Sequence, residues 1–211
     1  MTARRRAQRG RIRAYVGLGA NLGDAAATLA AGIHALAALP GVRLAGVSRL
    51  YATAPVGVLD QPEFRNAVVA LDVPPGPEPE TGALALLVAL KGLERAFGRR
   101  ERGRWGPREL DLDLLVFGRH ALHVERPAAA LSDDPTKPAV QWLEVPHAGA
   151  RERLFVLAPL ADLAPGLRPP GWGETVATAR RRAEAVEGPA AVRPVAGWDA
   201  TTGAWETTTA G

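Results

Sequence analysis

The chain has 211 residues, 47% hydrophobic and 23% charged, with a formal net charge of +4. That length and apolar content suit one domain of ordinary size with short tails. Cysteine is absent, which excludes disulfides, thiolate metal sites and cysteine nucleophiles, and no apolar run reaches the length of a membrane span.

All basic residues but Lys91 and Lys137 are arginine. Residues 1–10 form an arginine-rich arm with no apolar signal core behind it, so they read as a disordered basic arm on a cytoplasmic protein. Ile12–Leu18 reads as a strand. The turn Gly19-Ala20-Asn21-Leu22-Gly23-Asp24 follows, and Asp24 is placed to cap a helix reaching about Leu39, with Leu29, Ile33 and Leu36 on one face. Pro40-Gly41 stops it. Gly17, Gly19 and Gly23 join strand to helix, but the third glycine falls one residue late for the dinucleotide fingerprint, and no phosphate-binding G-x-x-x-x-G-K-[ST] loop occurs.

Val42–Tyr51 reads as a second strand, followed by an irregular Thr53–Val58 loop. Phe64–Asp72 reads as a third strand, with Phe64 and Asn66 on the same face. An aromatic and an amide side by side suit a flat heterocycle, although either residue alone is equally at home in a core or a turn. After the Pro74–Pro77 linker, Leu86, Leu90, Leu93 and Phe97 give the period of a helix from Pro79 to Phe97, with Glu94 near its end.

The next stretch, Arg99–Phe117, carries the strongest chemical signal. An arginine-dense loop contains Arg99, Arg100, Arg102, Arg104 and Arg108 around a Trp105-Gly106-Pro107 corner. It leads into an apolar strand interrupted only by Asp111 and Asp113. Alternation puts both carboxylates on one face and Leu110, Leu112 and Leu114 on the other. Two adjacent carboxylates repel unless a cation lies between them, and hard oxygen ligands with phosphates favour Mg²⁺. Arginines match phosphate geometry. A solvated ion-pair surface is the plain competitor, but the strand is otherwise fully apolar and reads as central in a sheet, where two acids need a reason.

The order β-α-β-β-α-β predicts an α+β fold with a ferredoxin-like core: an antiparallel sheet with helices on one face, followed by a C-terminal extension. Pro127–Gln141 reads as a polar, proline-broken surface insertion. His147 follows Pro146 in a loop, near Arg151, Arg153 and Phe155. Leu154–Leu160 suits a short strand or helix and Thr175–Ala185 a helix. The domain is therefore set at residues 11–187, and Gly188 onward reads as a poorly ordered tail. There are no internal repeats.

Five stretches, YVGLGANLGD (Tyr15–Asp24), YATAPVG (Tyr51–Gly57), DQPEFRNAVVAL (Asp60–Leu71), Gly98–Phe117 with RWGPRELDLDLLVFG, and VPHAGARERLFVLAPL (Val145–Leu160), resemble in order the 6-hydroxymethyl-7,8-dihydropterin pyrophosphokinases of folate biosynthesis. The resemblance implies an enzyme that binds ATP with two Mg²⁺ ions, transfers pyrophosphate to the pterin hydroxymethyl oxygen and releases AMP. It implies Asp111 and Asp113 as Mg²⁺ ligands and, with Arg104 and Arg108, as the catalytic set. It implies ATP contacts from Glu94, Arg100, Arg104, Arg108, His147 and Arg153. The pterin would stack between Phe64 and Phe155, bond Asn66, meet Thr53, Pro55 and Val56, and be covered by Trp105. The Pro127–Gln141 insertion and both tails have no counterpart in the resemblance. A monomer that binds neither membrane nor nucleic acid is expected. A ferredoxin-like RNA-binding module would stack bases on its sheet, but Asp111 and Asp113 would repel phosphate there without metal. An inactive interaction domain would lack part of this motif set.

Overall fold

The first strand, β1 (Ile12–Ala20), turns alternate residues to opposite sides: Ala14, Val16, Leu18 and Ala20 enter one core, and Tyr15 enters another. The computed structural model describes residues 10–55, 60–98, 106–132 and 137–207. The Asp24 side chain accepts from the Ala27 amide at 3.0 Å and opens α1 (Ala25–Ala37), which buries Leu29, Ile33 and Leu36 as its spacing requires. The expected second strand is broken. β2 (Arg43–Val47) and β3 (Leu50–Thr53) pair successive parts of β4 (Phe64–Val73). At the break Ser48 keeps the ladder intact, because its hydroxyl accepts the Val68 amide while its own amide donates to the Val68 carbonyl.

α2 (Pro79–Ala96) begins with a proline in its first turn and ends before Gly98, whose φ of +79° suits glycine. Next comes β5 (Asp111–Phe117), antiparallel to β1. The sheet order is β5-β1-β4-β3, and β2 pairs β4. The βαββαβ core is thus present, with α1 and α2 packed on the leucine face of the sheet. One expectation is corrected: β5 lies at the sheet edge, not its centre. Burial on both faces, which suggested a central strand, comes instead from helices and loops packed around the edge.

The hairpin of β6 (Leu122–Glu125) and β7 (Trp142–Val145) follows. The expected 127–141 insertion is the connection between these two strands; its described residues are mostly exposed, with a 3-10 turn at Ala128–Ala130 that buries Ala130 against α2. α3 (Leu154–Leu163) is a helix despite Pro159, and α4 (Val176–Glu187) is capped by Thr175. These two cover the other sheet face, over Tyr15, Val68, Ala70 and Leu115. The docking is polar as well as apolar. Tyr51 on β3 donates to Asp162 on α3 at 2.9 Å, and burial, then Asp162, pushes the Tyr51 hydroxyl up to about 12.

The expected disordered tail is also corrected. β8 (Val192–Asp199) pairs with β3, and β9 (Ala204–Glu206) pairs with β8. Pro194 is tolerated because the register shifts beside it, between Leu50 and Tyr51. Trp198 and Trp205 meet edge to face at 4.9 Å, and the Trp205 indole donates to the Ser48 carbonyl. The basic arm at residues 1–9 and the last residues, 208–211, lie outside the described chain.

Asp72, near the end of β4, joins three strands by accepting from Arg13 on β1 and Arg43 on β2. The hydrogen bond from Arg13, then that from Arg43, holds its carboxyl below the ordinary value. A depressed folded-state pKa contributes stability above the unfolded value, about 3.9, and loses it as pH falls through the folded value. Melting temperatures measured from pH 7 to pH 2 are therefore expected to show Asp72→Asn less stable than the parent at neutral pH, with the difference shrinking below about pH 4.

Candidate active site

Two cavities meet beside β5. The first, of about 440 Å³, is walled by Thr53, Pro55, Phe64, Asn66, Arg153 and Phe155. The second, of about 430 Å³, is walled by Lys91, Glu94, Asp113, Arg126 and His147. Arg108, Asp111 and Lys137 line both. Each volume is within the range that holds a small ligand.

The first cavity is mainly aromatic and amide in character. The Asn66 amide donates to the Thr53 hydroxyl at 2.8 Å, which fixes the side chain and turns its carbonyl oxygen toward Gly19. Phe64 starts β4, and Phe155 comes from α3 on the far side of the chain. The Arg153 guanidinium lies 5.9 Å from the Phe155 ring centre and close over Gly149. A Cβ at Gly149 would stand 2.9 Å from the guanidinium carbon, so any larger residue displaces Arg153. The supposed tail supplies a further wall through Ala191 and Val192.

The second cavity is polar and charged. β5 turns Asp111 and Asp113 to the face opposite the buried Leu112 and Leu114, as the alternation requires. The open edge of the strand is satisfied without another strand. Glu94, buried on α2, accepts the Leu112 amide at 2.7 Å; Lys91 donates to Glu94 at 2.9 Å and to the Leu112 carbonyl at 3.1 Å; the His147 amide donates to the Leu115 carbonyl at 2.9 Å. Glu94 therefore lines the cavity while also fixing the strand that carries the two acids. His147 follows a cis Val145–Pro146 peptide. Its Nδ1 accepts the Gly149 amide at 3.2 Å, so in the neutral ring the proton is on Nε2, available to an acceptor in the cavity.

Asp111 and Asp113 supply two hard carboxylates on one strand face. Among the described residues no group of three or more His, Asp or Glu makes a self-sufficient metal site. A pair of this kind fits Mg²⁺, which usually takes one or two protein carboxylates and completes its shell with phosphates and water.

The structure brings Thr53, Pro55, Phe64, Asn66 and Phe155 together in one cavity and Glu94, Asp113 and His147 in the other. Arg153 lines the first cavity, beside Phe155. Val56, Arg99, Arg100, Arg102, Arg104 and Trp105 lie outside the described residues. Sequence reasoning missed Arg126 and Asn21. Burial lowers the Arg126 guanidinium pKa, opposed by the attraction of Asp113 and Glu94. No periodicity marks it, because it sits where a strand passes into the insertion. Asn21 is buried and ties two site segments together: its amide donates to Gln61 and to the Pro62 carbonyl at 3.1 Å each, and its carbonyl accepts the Arg108 amide at 2.8 Å. The signal available was a bondable side chain in a strand-to-helix turn.

A family model described as 7,8-dihydro-6-hydroxymethylpterin-pyrophosphokinase (HPPK) matches residues 15–165. A 2-amino-4-hydroxy-6-hydroxymethyldihydropteridine pyrophosphokinase of Pseudomonas aeruginosa is 44% identical over 158 residues, 75% of this chain and 84% of that protein. The Bacillus subtilis protein of the same name is 36% identical over 150 residues, 71% of this chain and 77% of that protein. The crystal structure of wild-type Plasmodium falciparum HPPK-DHPS with pteroate shares the fold at a TM-score of 0.67 and 13% identity, over 95% of this chain and 48% of that one. This chain thus spans about half of that solved chain.

Replacing Asn21 by Ala removes a buried group with three partners. Thermal or urea unfolding is expected to show a loss of about 1–3 kcal/mol, with activity falling at temperatures where the variant is still folded.

Proposed function

Since the chain belongs to the 7,8-dihydro-6-hydroxymethylpterin-pyrophosphokinase family, we propose that its paired cavities perform that family's transfer, with the pterin in the first, ATP in the second, and reaction at their junction. The protein is an ATP-dependent diphosphotransferase of folate biosynthesis, a family that uses Mg²⁺. The observation that carries the residue-level reading is that Arg108 and Asp111 line both cavities. Two substrates held on either side of a shared wall are held in the geometry that phosphoryl-type transfer needs most.

The 6-hydroxymethyl oxygen attacks the β-phosphorus of ATP. A new O–P bond forms, the bond from that phosphorus to the oxygen bridging the α-phosphate breaks, and AMP leaves with the bonding pair. The hydroxyl proton is assigned to Asp111, on the ground that it is the carboxylate lining both cavities. Phe64 and Phe155 would stack the ring, and the Asn66 carbonyl, held by Thr53, would accept from the ring's N–H edge. Pro55 would close the rim, and Val56 keeps the pterin contact that resemblance implies. His147 would donate from Nε2 to a phosphate oxygen, and Arg108 and Arg126 would offset phosphate charge. Arg153 would meet the phosphates from the pterin side. Glu94 would shape the nucleotide site through Lys91 and the β5 backbone. Arg100, Arg104 and Trp105 keep the roles that resemblance implies, in ATP binding and in closing over the pterin. Asp111 and Asp113 would hold two Mg²⁺ ions, which supply polarisation of the hydroxyl and neutralisation of phosphate charge.

A monomer in the cytoplasm is part of the same proposal. Its support is that the chain's own helices cover both sheet faces. No helix among the described residues is long and apolar enough to cross a membrane.

AMP formation from ATP is expected only when 6-hydroxymethyl-7,8-dihydropterin and Mg²⁺ are both present, and is expected to cease in excess EDTA. ADP as product would instead mean attack at the γ-phosphate. Asp113→Ala is expected to lower kcat by about 100-fold or more at saturating Mg²⁺. Near-parental turnover in that variant would remove Asp113 from the metal assignment.

A further inference from the structure

The connection between β6 and β7 brings a cation to the point where the two cavities meet. The described residues of this connection, 127–132 and 137–141, are anchored on either side. Arg95 on α2 donates to the Ala129 carbonyl at 2.8 Å, and Ala130 is fully buried. At the far end, Gln141 accepts the Ser132 amide at 3.1 Å through its side chain and the Arg126 amide at 2.8 Å through its backbone. Exposed Lys137 lines both cavities, as among the described residues only Arg108 and Asp111 also do.

The residue type adds to the placement. The chain has 26 lysines and arginines, of which only Lys91 and Lys137 are lysines, and both reach this site. Lys91 holds β5 through Glu94 and the Leu112 carbonyl. Lys137 has another chemistry open to it. A guanidinium prefers flat two-pronged partners, whereas an ammonium is a compact charge on a flexible stem and can follow a moving phosphate. In a transfer across the junction, negative charge builds on the oxygen that bridged the α- and β-phosphates and that leaves with AMP, while the diphosphoryl group passes to the attacking oxygen. A cation lining both sides stands where that charge develops, and an interaction stronger in the transition state than with the bound substrates raises kcat more than it tightens substrate binding.

We propose that Lys137, from the β6–β7 connection, contacts the diphosphoryl group during its transfer and so is a working part of the active site rather than surface decoration. This rests on the reading of the two cavities given above. The site class is a polyphosphate-binding cation, supplied by a part of the chain outside the five stretches that carry the resemblance.

The test compares the full-length parent with Lys137→Met and Lys137→Arg in pterin-dependent AMP formation, with KM for ATP and for the pterin measured separately. Lys137→Met is expected to lower kcat by about 10-fold or more, with both KM values within about threefold of the parent. Lys137→Arg is expected to recover part of that loss, since the charge returns without the compact geometry. Because Lys137 is exposed and its substitution removes no core packing, the melting temperatures of the three proteins are expected to coincide. A smaller fall in kcat, or an effect confined to KM for ATP, would overturn the proposed contact. If the parent itself formed no AMP in a pterin-dependent way, the reading of the cavities would fail, and this inference with it.

Discussion

The site depends on how one exposed strand edge is held. β5 must present two carboxylates at the same height while its backbone has a sheet partner on one side only. An uncovered edge is both unsatisfied and free to recruit another strand. Here Glu94, Lys91 and the His147 amide supply the missing partners. Glu94 takes the Leu112 amide between Asp111 and Asp113, so the residue separating the two acids is the one pinned to α2. A buried carboxylate is costly to leave unpaired, and Lys91 at 2.9 Å offsets that cost. The same contact therefore secures helix to sheet and fixes the spacing of the acids.

From that fixed edge the rest follows in layers. Leu112 and Leu114 tie β5 into the core under α1 and α2, while Asp111 and Asp113 face the cavities. Asn21 holds the Arg108 backbone and the Gln61–Pro62 segment in one bonded unit, which sets Arg108 against the chain that enters β4. Asn66 is oriented by Thr53, and Arg153 by the space that Gly149 leaves. Asn21, Asn66, Glu94 and Arg153 thus each have a neighbour that restricts them, which is the condition for useful preorganisation.

Much of this was legible in the residues. The Asp24 cap, the leucine period of α2 and the leucine–aspartate alternation of β5 are local patterns, and local patterns survive folding. Phe64 and Asn66 are paired by alternation along β4, but Phe155 could be brought to them only by resemblance, because nothing in spacing links β4 to α3. The edge position of β5 was misread because periodicity reports burial, not what provides it. The tail was misread for a related reason. Its Thr, Gly and Ala content and Pro194 argue against an independent strand, yet β8 forms on the open side of β3 and is stapled by Trp205 to Ser48. The break at Ser48 was hidden too, since a hydroxyl that substitutes for a backbone carbonyl leaves no trace in hydropathy. Arg126 and Lys137 sit in irregular chain, where sequence carries no period to read.

The position of β8 has a bearing on biosynthesis. Ala191 and Val192 wall the first cavity, and β8 pairs with β3, a strand about 140 residues earlier. During translation the chain can assemble β1 to β5 with α1 and α2 while these residues are still inside the ribosome. The nascent protein then has its acids in place but its cavity open on one side and an uncovered strand on β3. The first cavity is thus completed late, by the closure of that wall, and a chain ending after α4 lacks the residues that close it.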